Sequence, residues 1–213
     1  MAPDDVKKTG TTTLGIVCKD GVVIGTERRA TMGTLIAHKK TQKLFRVDDH
    51  IALTTAGLVG DAQVLARLLS AEVELYRMKR EAPISVQAAA TLMANILNQR
   101  KFAPYYVQLI IGGVDASGGH VYSLDAAGGA IPDIYTTTGS GSPYVFGVLE
   151  DQYRDDVTVD GGMDLAIRSL NAAMRRDSAS GDGMDIAVIT QKDGFRLATD
   201  DEVASRKKKL GLN

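Results

Sequence analysis

Tryptophan is absent from this chain, cysteine occurs once and proline five times in 213 residues. The lone Cys18, set in an apolar alternating run, excludes an internal disulfide and fits a reducing compartment. Charge of one sign is lacking too. The 25 basic and 26 acidic residues leave a net charge of −1, so no overall field draws the chain to nucleic acid or an anionic membrane. No apolar run approaches the roughly 20 residues that cross a bilayer, and residues 1–10 lack the hydrophobic stretch of a secretory signal. A cytoplasmic location is expected. The three histidines, His38, His50 and His120, stand at no metal-ligand interval from a cysteine or carboxylate, so no metal site is expected.

What is present is an ordinary globular composition, 44% hydrophobic and 24% charged, of a length suited to one large domain. Residues 1–10 (MAPDDVKKTG) form a polar arm that reads as a disordered tail or a removable pro-segment. After it come β-patterned runs at Thr12 to Cys18 and Val22 to Glu27, joined through the hairpin pair Asp20-Gly21. Lys43 to Val47 and Ile51 to Ala56 form a second pair. Helical spacing follows from Asp61, a candidate N-cap, to about Arg80, and again from Ser85 to about Arg100. Strands return at Val107 to Val114, His120 to Asp125 and Ile131 to Thr137, then helices at about Pro143 to Gln152 and Thr158 to Arg176. Met184 to Thr190 and Phe195 to Leu197 make a last hairpin about Asp193-Gly194, and a basic helix ends at Lys209-Leu210-Gly211. Strands, two helices, strands, two helices: this order argues for an α+β fold with two antiparallel sheets face to face and helices outside, not for βαβ units. Residues 11–213 are expected to form a single domain.

One local pattern carries chemistry. Gly10 directly precedes Thr11, with Glu27 sixteen residues beyond Thr11 and Lys43 thirty-two beyond it. If the Gly10–Thr11 bond is cut, Thr11 holds both a hydroxyl and a free α-amine, so one residue supplies nucleophile and nearby base. Further local patterns follow in Thr26-Glu27-Arg28-Arg29-Ala30, Ala56-Gly57-Leu58-Val59-Gly60-Asp61, Gly139-Ser140-Gly141-Ser142 and Arg176-Asp177-Ser178-Ala179-Ser180-Gly181. Each has an ordinary reading alone. The Gly139–Ser142 run suits a turn before a helix and lacks the ending of a phosphate loop, and Arg206-Lys207-Lys208-Lys209 suits the C-terminal end of a helix dipole.

Taken together and in this order, these motifs resemble the β subunits of the proteasome core particle, especially the archaeal kind, over nearly the whole chain. The resemblance implies an N-terminal-nucleophile hydrolase fold, a four-layer αββα sandwich, and a pro-segment (residues 1–10) removed by self-cleavage between Gly10 and Thr11. It places the catalytic threonine at Thr11, its paired acid at Glu27, the essential lysine at Lys43 and supporting groups at Ser140, Asp177 and Ser180. Many members have Asp where this chain has Glu27, which lengthens the reach by one methylene and keeps the charge. The pocket for the substrate side chain before the cut maps onto Ala30, Thr41, Phe45, Thr55, Val59 and Gln63, none ionisable, so cleavage after apolar residues is expected. The implied partners are copies of this chain in homo-heptameric rings stacked in pairs, proteasome α subunits, an unfolding ATPase reached through them, and unfolded protein substrates. No nucleic acid, membrane or cofactor is implied. A non-catalytic ring subunit of the same fold is the alternative.

The chemistry also follows from the residues. Lys43 as a cation favours a developing Thr11 alkoxide, and Glu27 holds it oriented. An α-amine with a pKa of roughly 7.7 to 8.0 can shuttle a proton near neutrality, where a lysine at about 10.4 is normally charged. The direct acceptor is that amine, a water, or Lys43 itself. Gly57, at a strand end, offers its backbone N–H to an oxyanion, and Gly10 permits the backbone contortion of self-cleavage.

Overall fold

The computed structural model describes residues 10–212; the first nine residues of the expected pro-segment lie outside them. The chain begins with β1 (Thr12–Cys18) and β2 (Gly21–Glu27), then β3 (Ala30–Met32) and β4 (Leu35–His38), then β5 (Leu44–Asp48) and β6 (Ile51–Gly57). Helices α1 (Val59–Arg80) and α2 (Val86–Gln99) precede β7 (Val107–Asp115), β8 (Gly118–Leu124), β9 (Ala130–Asp133) and β10 (Tyr135–Gly139). Then come α3 (Ser142–Gln152), α4 (Val159–Arg176), β11 (Met184–Thr190), β12 (Gly194–Leu197) and α5 (Asp200–Lys209).

Two five-stranded antiparallel sheets result, ordered β10-β1-β2-β11-β12 and β5-β6-β7-β8-β9. Strand alternation decides the layering, because successive side chains leave a sheet on opposite faces. On β2, Val22 and Ile24 join Ile110, Val121 and Ala52 between the sheets, while Val23 joins Leu170, Ile167 and Met163 of α4 on the outer side. On β6 and β7, Leu53, Leu109 and Ile111 pack outward with Leu65, Leu69, Met93 and Leu97 of α1 and α2. Three apolar layers therefore separate four structural layers. This is the αββα sandwich of the N-terminal-nucleophile hydrolases, as the resemblance implies. No described helix is long and apolar enough to cross a membrane.

The elements differ from the sequence reading in three places. The expected strand Ile131 to Thr137 is two: β9 closes one sheet, and after Ile134 the chain crosses so that β10 closes the other. Pro132 fits β9 because an edge strand leaves one row of N–H groups unpaired. Helix α1 starts at Val59 with Leu58 at the cap position, and Asp61 sits in its first turn, accepting the Tyr106 N–H at 2.9 Å. The β3–β4 hairpin gave no periodic signal because most of it faces solvent; Met32, Leu35 and Ile36 are exposed.

Candidate active site

Sheet register gathers the chemistry at one end of the sandwich. Strand β1 lies between β10 and β2, with Thr12 opposite Gly139 and Thr13 opposite Thr26. Strand β11 pairs with the far edge of β2, Met184 opposite Glu27, and so carries in the preceding Asp177–Gly183 loop. Lys43 enters from the other sheet just before β5, where its carbonyl accepts the Thr55 N–H at 3.0 Å. Five separate segments thus meet around Thr11, which is buried.

The Thr11 hydroxyl donates to the Gly10 carbonyl oxygen at 2.7 Å. Its backbone N–H donates to Ser140 Oγ at 3.2 Å. Ser140 in turn donates to Asp177 Oδ2 at 2.6 Å, and Ser180 donates to that same oxygen at 2.7 Å. A hydroxyl has one proton to give. With the Ser180 proton committed to Asp177, the 2.6 Å contact between Thr12 Oγ1 and Ser180 Oγ must have Thr12 as donor. Asp177 therefore anchors two hydroxyl relays, one ending on the Thr11 amide and one on the Thr12 hydroxyl.

On the other side stands a buried ion pair. Lys43 Nζ donates to Glu27 Oε1 and to the Arg29 carbonyl. Glu27 Oε1 also accepts the Thr12 N–H at 3.3 Å, and Oε2 accepts those of Arg29 at 2.6 Å and Gly181 at 3.1 Å. Glu27 is completely buried and Lys43 is 5% exposed. Burial pushes the Glu27 carboxyl above the usual carboxylate range against the pull of Lys43 and the backbone N–H groups. Burial likewise pushes Lys43 below the usual lysine range, against the Glu27 charge that holds its proton on. Burial thus works against the charged form of each group, and their mutual attraction works for it. Arg29 fastens the Asp177–Gly183 loop to this pair through Asp182 at 2.7 Å and the Ser178 carbonyl at 2.8 Å.

Glycines admit the close approaches. A Cβ on Gly10 would lie 1.9 Å from the Ala179 Cβ and 2.7 Å from Ser140 Oγ, so space rather than backbone freedom requires glycine before Thr11. Gly57 ends β6 at φ +124°, where a Cβ would also lie 2.0 Å from the Tyr106 carbonyl oxygen.

Four of the six expected pocket residues border two neighbouring clefts that share Gln63. Thr41, Val59 and Gln63 border a cleft of about 580 Å³ that His38, Lys39 and Lys40 also line. Phe45 and Gln63 border a second of about 510 Å³ with Arg46 and Arg67. Thr55 is buried, and Ala30 is half-buried at the start of β3. Cations that no motif singled out thus stand at the rim beside the uncharged residues.

Comparison with known proteins shows the family. A family model described as "Proteasome subunit" matches residues 7–189. Curated proteasome β subunits from archaea match at near full length. That of Thermoplasma acidophilum is 56% identical over 96% of this chain and 97% of its own length, and that of Methanothermobacter thermautotrophicus 54% over 92% and 94%. The protein of Methanosphaerula palustris is 57% identical over 87% and 88%. The chain belongs to the archaeal proteasome β subunits.

In this β subunit, Thr11, Glu27, Lys43, Ser140, Asp177 and Ser180, chosen from sequence, are brought together. Three contributors were not foreseen: the Thr12 hydroxyl, the Arg29 carbonyl and the Thr31 hydroxyl, which accepts the Gly10 N–H at 3.2 Å. Thr12 stands in a run of three threonines that reads as strand preference, and a backbone carbonyl leaves no sequence mark.

Proposed function

We propose that this β subunit is a threonine-type endopeptidase, made as a precursor and activated by its own cleavage between Gly10 and Thr11. The observation that carries the reading is the Thr11 hydroxyl 2.7 Å from the Gly10 carbonyl oxygen, beside a buried Lys43–Glu27 pair. In the precursor the Thr11 nitrogen is an amide and cannot take up the hydroxyl proton. Lys43 in its deprotonated form, or a water, receives it. Thr11 Oγ1 adds to the Gly10 carbonyl carbon, and the Gly57 N–H stabilises the oxyanion. The C–N bond breaks as nitrogen regains a proton, leaving an ester. Water hydrolyses the ester, releasing residues 1–10 and restoring the Thr11 hydroxyl beside the α-amine that the C–N cleavage had freed.

The same hydroxyl then attacks substrate carbonyls, with the amine as shuttle near neutral pH. Ser140 holds that amine in place, itself held by Asp177, which Ser180 ties to the Thr12 hydroxyl. A purely scaffolding ring subunit has no use for the buried pair, because burying two charges costs several kcal/mol that packing alone would not return. Confinement supplies selectivity: copies of this chain form heptameric rings stacked in pairs between α rings, and an unfolding ATPase feeds unfolded chains inward. The chemistry calls for no metal or organic cofactor.

Cleavage after apolar residues is the preferred specificity, since Ala30, Thr41, Phe45, Thr55, Val59 and Gln63 carry no charge. Lys39 and Lys40 at the cleft favour a second reading, cleavage after acidic residues. Assembled particles assayed with peptides bearing leucine, glutamate or arginine before a fluorogenic group should cleave the leucine peptide fastest. Thr11→Ala should abolish all three activities; undiminished hydrolysis by that variant refutes the proposal.

A further inference from the structure

We propose that Thr31 is a positioning residue for self-cleavage, its side-chain hydroxyl clamping the Gly10 N–H so that the Gly10 carbonyl is presented to Thr11. The inference rests on the self-activation reading above. Strand β3 is short and half exposed: Met32 beside Thr31 is 53% exposed and Ala30 half-buried, yet Thr31 is only 6% exposed. Its hydroxyl accepts the Gly10 N–H at 3.2 Å.

Gly10 is then held at three points. Its N–H is bound by Thr31, its carbonyl oxygen by the Thr11 hydroxyl, and its Cα presses on Ala179 closely enough that a Cβ would overlap that side chain. The Gly10 carbonyl can swing away by rotation about the N–Cα and Cα–C bonds of that residue, and a bound N–H anchors one end of this unit. Fixing it converts attack by Thr11 from a search among conformers into a held approach. Once the bond is cut, Gly10 departs and the clamp has no further role in maturation.

The test uses the full-length chain assembled with its α partner, following loss of residues 1–10 by intact mass over time. Thr31→Val keeps the β-branched shape and deletes the acceptor, and should slow processing about tenfold, the effect of one lost hydrogen bond in the transition state. Thr31→Ser restores the hydroxyl on a smaller side chain and should process within about twofold of wild type. Thr31→Ala serves as a second hydroxyl-free form should the valine chain fail to assemble.

Assembly is read separately by size exclusion, and comparison of serine with valine separates hydroxyl loss from packing loss. Wild-type processing by an assembled valine or alanine variant overturns the proposal, and so does a serine variant as slow as valine. A wild-type chain that never loses residues 1–10 would instead overturn the self-activation reading.

Discussion

Removing the Glu27 carboxylate should strand Lys43 as an unpaired ammonium in the interior. Glu27 is fully buried and Lys43 nearly so, and breaking such a pair from one side costs about 3–5 kcal/mol. An upper bound comes from the proton itself: deprotonating a lysine of ordinary pKa near 10.4 at pH 7 costs about 4.6 kcal/mol at 1.36 per unit. The stranded group escapes by that route if the burial cost exceeds it. For a domain of this length the loss corresponds to a fall in Tm of roughly 6–20 °C. The comparison belongs in a Thr11→Ala background, so that every chain keeps the same N-terminus.

Glu27→Met with Lys43→Met should regain the part due to the stranded charge, leaving the N–H groups of Thr12, Arg29 and Gly181 and the Arg29 carbonyl without these partners. The pH dependence has a definite sign. In Glu27→Met the folded Lys43 pKa lies below its unfolded value, so folding is penalised below about pH 10.4 and the penalty lessens as pH rises toward it. From pH 7 to pH 9 the deficit of the single variant should shrink by up to about 2.7 kcal/mol. Thermal denaturation at one protein concentration, at both pH values, reads this out. A single variant within about 1 kcal/mol of its parent, or no better with the second substitution, refutes the buried-charge account.

Gly10→Ala should block maturation, because its Cβ would fall on Ala179, and intact mass should show residues 1–10 retained in an otherwise assembled particle. Burial, aided by Asp20, pushes the Cys18 thiol up to about 12. Iodoacetamide at pH 8 should therefore leave the native protein unmodified and add one adduct after denaturation. Since the unfolded thiol ionises near pH 8.5 and the folded one does not, Cys18 draws the equilibrium toward unfolding as pH rises beyond about 9. Cys18→Ala should flatten that alkaline loss in a denaturation series.

The layers were legible because the alternation in β2, β6 and β7 and the helical spacing in α1 and α4 each report a buried face. Where burial is slight the signal fades: the β3–β4 hairpin exposes Met32, Leu35 and Ile36 and shows no period at all. The switch of sheets at Ile134 left no mark, since β9 and β10 run on without a turn signal between them. Thr11, Glu27 and Lys43 stood out through unlike chemistry joined to a family's order of motifs. Thr31 did not, as a threonine in a strand is what steric preference alone would place there. No motif marks Lys39 and Lys40, and only the fold brings them to a cleft shared with Val59 and Gln63.

The central claim is that Thr11 becomes the first residue and then the nucleophile. Intact-mass analysis and N-terminal sequencing of particles actively hydrolysing peptide address it directly. The account predicts subunits that begin at Thr11; particles of full activity whose subunits still carry residues 1–10 would contradict it.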